Sequence, residues 1–133
     1  MSPVLLDTHA LVWSLLTPDR LTPRARSTIE AAEVVLVSAV SIYEIDNKRR
    51  TRPRETGDPL WRMPADLHVS LPPFGVRLIP ITPEAASLAA NLPLPHRDPW
   101  DRLLLAQASL AGAALVTGDA ALQAHAAGVQ VVW

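Results

Sequence analysis

Short apolar runs separated by stretches of helical periodicity set the frame of this chain. Val4, Leu5 and Leu6 are apolar in succession, as in a strand covered on both sheet faces, and predict a strand over Pro3 to Leu6. Helical spacing follows from His9 to Leu16, and Thr17-Pro18-Asp19 stops it. Thr22 as a cap with Pro23 at the first helical position predicts a second helix over Pro23 to Glu33. Val34 to Val37 reads as the second strand, with Ser38 capping a helix from Ala39 to about Arg49. Residues 50–64 carry three prolines, a glycine and several charges, the composition of a surface crossing.

The remaining pattern is a short helix over Ala65 to Leu71, a strand over Val76 to Ile81 and a helix over Pro83 to Asn91. The proline inside that strand places it near a sheet edge. An apolar helix over Pro99 to Gly112, a strand over Ala114 to Val116, a helix over Ala120 to Ala126 and a strand over Val129 to Val132 complete the chain. Strands alternating with helices predict an α/β fold, a three-layer α/β/α sandwich around a mainly parallel sheet of about five strands.

Composition narrows the function. A chain of 133 residues is expected to form a single domain over 1–133 that hides roughly two thirds of its unfolded surface. Twelve Lys and Arg against thirteen Asp and Glu give a net charge of −1, so a polyanion has to be met by a local patch. With no cysteine, disulfides, thiolate zinc sites and thiol nucleophiles are excluded. The N-terminal MSPVLLDTHALVWSLL places an acid inside its apolar stretch and reads as folded structure rather than an export signal. No run reaches the ~18 to 20 apolar residues of a membrane span, so a cytoplasmic protein with no membrane partner is expected.

Four acids, Asp7, Glu44, Asp101 and Asp119, stand out because apolar runs precede them. In an open α/β sheet the carboxyl ends of parallel strands share one crevice, which gathers such residues from distant parts of the sequence. Each also has a structural reading. Asp7 fits a helix cap, although Thr8 could cap in its place. Asp98 and Asp101 flank Pro99 at a helix start, but on a helical wheel Asp101 shares the arc of Leu104, Leu105 and Ala108, where an acid is costly unless partnered. Glu44 fits a capping box with Ser41 or a surface pair with Lys48, and Asp46 is its rival. Asp119 could cap the helix that follows it. Independent caps would not need to point toward one rim.

His9, His68, His96 and His125 show no zinc spacing, and the glycines form no phosphate-binding loop. An oxygen-rich, sulfur-free inventory suits Mg²⁺, with Mn²⁺ the other ion of the same chemistry. Lys48-Arg49-Arg50 with Arg52 and Arg54 is the dense basic run, either a solvated helix end or a phosphate-contacting arm. Trp61 nearby could stack on a base or fill a partner's groove.

The segments LLDTHALVW, VSAVSIYEI, RDPWDRLLLAQA and LVTGD, in this order and at these separations, resemble the PIN-domain family, and within it the VapC-type toxin ribonucleases of bacterial toxin–antitoxin pairs. The resemblance covers Leu5 to Trp133 and departs over Asp46 to Pro64. It places the family's four acids on Asp7, Glu44, Asp101 and Asp119, as catalytic and metal-holding residues, with Thr8, Ser38 and Thr117 as hydroxyl positions around them. It implies a metal-dependent endoribonuclease acting on RNA and leaving a 5′-phosphate and a 3′-hydroxyl. It further implies a cognate antitoxin, reaching a groove near the first and third helices, and a homodimer. Two readings compete: a catalytically silent PIN-like module that binds RNA or protein, and an aspartate-based phosphatase or phosphoacceptor domain. The latter is disfavoured because Asp7-Thr8-His9 lacks the second aspartate of an acid/base pair and the one lysine, Lys48, is not at a late strand end.

Overall fold

The apolar runs become the strands of one parallel sheet. A computed structural model describes residues 3–95, 98–124 and 128–133. The strands are β1 (Val4–Leu6), β2 (Val35–Ser38), β3 (Val76–Ile79), β4 (Ala114–Val116) and β5 (Val131–Val132). Their spatial order is β3-β2-β1-β4-β5, and every pairing is parallel. The helices are α1 (Thr8–Leu16), α2 (Pro23–Ala31), α3 (Ala39–Thr51), α4 (Leu67–Ser70), α5 (Pro83–Asn91), α6 (Pro99–Ala111) and α7 (Ala120–Ala124).

The alternation of side chains along each strand sorts the core into two layers. Val4 and Leu6 pack with Val37, Val116, Leu11 and Ala25 on one face, while Leu5, Leu36 and Leu115 pack with Leu104, Leu105 and Ala108 of α6 on the other. Leu5, Leu6, Leu105 and Leu115 are almost wholly buried, each worth about 1.5–3 kcal/mol of transfer free energy. The sandwich expected from the alternation of elements is therefore present, and its sheet is parallel throughout the described residues.

Element ends differ from the sequence expectations where backbone chemistry intervenes. β3 is an edge strand, as its proline implies, but it stops at Ile79 because Pro80 has no N–H to continue the ladder. Helix α3 runs beyond Arg49 to Thr51 and ends because Arg52 precedes Pro53 and is extended, with φ −106° and ψ 149°. β2 is displaced by one residue, so that Ser38 both ends the strand and caps α3 by accepting from Val40 N at 3.0 Å. The final strand begins at Val131 rather than Val129, although the Gln130 carbonyl already accepts from Leu115 N at 2.8 Å. The end expected for the helix from Ala120, at Ala126, lies outside the described residues, as do His96 and His125.

The crossing over 50–64 is tied down by a cation. Arg49 donates to the carbonyls of Met63 at 2.6 Å and Pro64 at 2.9 Å, and also meets Asp46 at 3.3 Å. One member of the basic run thus serves as a clamp, with Met63 buried beneath it. A 3₁₀ turn at Pro59–Arg62 carries Trp61, which is half-buried there.

Candidate active site

β1 and β4 lie side by side in register, Leu6 opposite Val116, so the residues just past them meet at the carboxyl edge of the sheet. This is where the chain order reverses and an open α/β sheet leaves a crevice. Asp7 leaves β1, Thr117 and Asp119 leave β4, and α3, leaving β2, carries Glu44 into the same space. The N-terminal turn of α6 adds Asp98 and Asp101. Together Asp7, Glu44, Asp98, Asp101 and Asp119 line one cavity of about 500 Å³. Asp46, the rival of Glu44, points elsewhere and pairs with Arg49.

Capping and lining prove compatible. A carboxylate has two oxygens, and one is enough for a cap. Asp7 Oδ1 accepts from Ala10 N at 2.7 Å, so Asp7 itself caps α1 and Thr8 is not needed for that purpose. Asp7 Oδ2 accepts from Thr117 Oγ1 at 2.5 Å. Thr117 in turn accepts from Asp119 N at 3.1 Å, so one buried hydroxyl fixes two of the acids. Asp119 caps α7 through Ala121 N at 2.8 Å, and Asp98 caps α6 through Trp100 N at 2.9 Å. Thr8, freed from capping, donates to Glu44 Oε1 at 2.8 Å and lies 3.0 Å from Ser41 Oγ. The capping box of Ser41 with Glu44 does not form, since Ser38 caps α3.

Asp7 is 9 % exposed, and burial pushes its carboxyl above the ordinary value of 3.8. The hydrogen bonds from Thr117 and Ala10 and the nearby His9 oppose that rise, while Glu44 adds to it. No Lys or Arg is among the described lining residues, and of these residues His9 offsets part of the charge on Asp7. Among the described residues no three histidine or carboxylate side chains converge into a ready-made metal cage. The donor set fits Mg²⁺ or Mn²⁺ held by a few hard oxygens with waters completing the shell, since Mg²⁺ keeps several waters and seldom takes an all-protein cage.

The sequence reading missed the aromatic wall. Trp13 and Trp133 line the cavity with their ring centroids 5.7 Å apart, and His9 stands 5.7 Å from Trp13. The only sequence signal is their distance from the acids, Trp13 lying about two helical turns from Asp7. Trp61, singled out instead, does not line the cavity.

A family model of the PIN domain matches residues 4–128. The chain belongs to the PIN-domain family. This PIN domain is 34% identical over 128 residues to Ribonuclease VapC22 from Mycobacterium tuberculosis, a match covering 94% of this chain and 93% of that protein. Among solved structures it is similar to FitAcB from Neisseria gonorrhoeae, with a TM-score of 0.68 at 20% identity over 96% of this chain and 95% of that one. It is also similar to VapBC-5, of the VapBC family of toxin–antitoxin systems, from Mycobacterium tuberculosis, with a TM-score of 0.59 at 16% identity over 98% and 96% of the two chains. At these identities the two structures share the fold.

One glycine of this PIN domain is set by space rather than by turn conformation. A Cβ on Gly118 would stand 2.8 Å from Trp133 Cε2 and 3.0 Å from Cζ2. Gly118→Ala is expected to push the indole outward, costing about 1–2 kcal/mol as a small overpacking change. A lower melting temperature together with red-shifted tryptophan emission checks this; unchanged emission would mean that the ring does not depend on the glycine.

Proposed function

We propose that this chain is a Mg²⁺-dependent endoribonuclease, Mn²⁺ serving as well, and the toxin component of a toxin–antitoxin pair. The observation that carries this reading is the cavity at the sheet's carboxyl edge. Acids from β1, α3, α6 and the end of β4 line it with no lysine or arginine among its described walls. The relationship to a protein named as a ribonuclease supports the same reading. Of the five lining acids, Asp7, Glu44, Asp101 and Asp119 are the proposed metal-holding and catalytic set, and Asp98 remains a cap.

A divalent ion held there would neutralise charge on the phosphoryl oxygens and acidify the attacking water. The chain's own residues prepare the site. Thr117 holds Asp7 and Asp119 in fixed relation, and Thr8 holds Glu44 beside them. Trp13 and Trp133 form an apolar part of the wall beside the acids. Single-stranded RNA is the expected substrate, because its phosphates and bases are open to a crevice of this size. A homodimer, an antitoxin partner and action in the cytoplasm belong to the same proposal. Among the described residues no helix is long and apolar enough to cross a membrane.

The test is cleavage of a single-stranded RNA by the purified, antitoxin-free chain. Cleavage leaving 5′-phosphate ends is expected in Mg²⁺, with loss in chelator and recovery when Mg²⁺ is restored. Undiminished cutting in chelator would remove the metal from the proposal. RNA binding without cutting in either Mg²⁺ or Mn²⁺ would favour the silent-module reading.

A further inference from the structure

Beside the acidic cavity, and sharing Thr8, His9 and Trp13 with it, lies a second hollow of about 70 Å³ with a different charge balance. Its charged walls are Lys48, Arg52, Asp58 and the shared His9. Asp58 is partly committed, since its Oδ1 accepts from Leu60 N at 2.9 Å. The side chains of Lys48 and Arg52 make no hydrogen bond or ion pair with any described residue. Arg49 and Arg50 of the same run are occupied: Arg49 clamps the Met63 and Pro64 carbonyls, and Arg50 donates to Asn47 Oδ1 at 2.9 Å, while Arg54 does not line the hollow. A helix C-terminus favours cations in its last turn whichever way they point, which does not account for two facing one hollow.

Helix geometry relates the two cavities. Glu44, Lys48 and Arg52 are successive i,i+4 positions of α3 and its C-cap, so they follow one stripe at steps of about 6 Å along the axis. That step is of the order of the distance between neighbouring phosphates on an extended strand. The acids alone repel a polyanion, and a net charge of −1 supplies no global attraction, so substrate has to be drawn by cations close to the acids. The hollow, of about 70 Å³, is much smaller than the 500 Å³ cavity beside it and has room for a phosphoryl group.

We propose that this hollow is a second nucleic-acid subsite, in which Lys48 and Arg52 hold the phosphate next along the strand from the one at the four acids. Contact to the backbone there positions the strand without reading its sequence. The inference rests on the ribonuclease reading above, and its test is binding rather than cutting.

The probe is a fluorescently labelled mixed-sequence 12-nucleotide RNA, with the full chain carrying Asp7→Asn so that the RNA stays whole. In that background Lys48→Ala with Arg52→Ala is expected to weaken binding ~10-fold or more near 0.1 M salt. The slope of log K against log salt should fall by about 0.7 to 1.4, one or two phosphate contacts to a single strand. Arg24→Ala with Arg77→Ala removes equal charge, from a hollow at the opposite strand ends and from the edge strand, and should change binding less than about twofold. Equal losses in the two pairs would reduce the effect to net charge and overturn the subsite. Unchanged affinity and slope in a chain whose Asp7 form cuts RNA would overturn it too, leaving the nuclease reading intact and assigning the two cations to a protein partner. A chain that binds through Lys48 and Arg52 but never cuts would sink the nuclease reading alone.

Discussion

Asp7→Asn is expected to give a protein that melts at a higher temperature than the parent at neutral pH and cleaves RNA roughly 10²- to 10³-fold more slowly, the scale on which one electrostatic group at a reacting centre counts. Both effects follow from one carboxylate held in the wrong place for stability. Asparagine keeps Oδ1 for the cap on Ala10 N, and its Nδ2 can donate to Thr117 Oγ1 where Oδ2 used to accept. What disappears is a buried charge beside Glu44.

The pH dependence gives the sign. Burial raises the Asp7 pKa in the folded protein above its ordinary value of 3.8, so through that window the folded state binds more protons than the unfolded one. Stability from this group is fully present below the ordinary carboxylate value and is lost as pH rises through the raised folded value. Melting curves of parent and Asp7→Asn should therefore converge at acid pH and diverge at neutral pH, asparagine being the more stable. Added Mg²⁺ should narrow the gap by stabilising the parent alone. An asparagine form less stable at neutral pH would show that the carboxylate is a net structural asset, and full cleavage by it would remove Asp7 from the proposed catalytic set.

Such a group explains why the fold was easier to read from the sequence than the site. Apolar runs such as Val4-Leu5-Leu6 and Ala114-Leu115-Val116 have no other stable destination than a doubly covered strand, so strand order and layering follow from pattern. Asp7 and Asp119 were legible as positions after those runs, whereas Glu44 lies inside α3 and Asp101 in the first turn of α6, which no strand directly precedes. Capping and lining looked like alternatives only because a sequence shows residues and not their separate oxygens. Asp7 and Asp119 satisfy helix N–H groups and line the cavity at once. The aromatic wall was not legible, since Trp133 reaches the site through β5 pairing with β4, a contact that no local pattern announces. Nor does the sequence announce the constraint on Gly118, which is the indole of that same tryptophan. The basic run divided by direction: Arg49 turns to the crossing, Lys48 and Arg52 to the hollow, and spacing alone does not separate a clamp from a patch.

Gln107→Leu is expected to lower stability by about 2–4 kcal/mol, near 10 °C or more in melting temperature for a chain of this size, although the two side chains are close in volume. Gln107 is 4 % exposed in the middle of α6 and ties that helix to the adjacent ends of β2 and β3. Ser38 Oγ donates to its Oε1 at 2.6 Å, and its Nε2 donates to the Pro80 carbonyl at 3.0 Å. Leucine strands the Ser38 hydroxyl, which is wholly buried, while the Pro80 carbonyl sits on an exposed residue and can turn to water. Most of the cost therefore arises at Ser38, the cap of α3. Strain at that cap moves the helix that carries Glu44, so cleavage per folded molecule should fall along with stability, by less than in Asp7→Asn. Adding Ser38→Ala removes the stranded hydroxyl and should recover part of the loss, short of the parent because the Val40 N–H then lacks its cap. A melting temperature within about 2 °C of the parent for Gln107→Leu would mean that water reaches Ser38 and that the position of Glu44 does not depend on this bond.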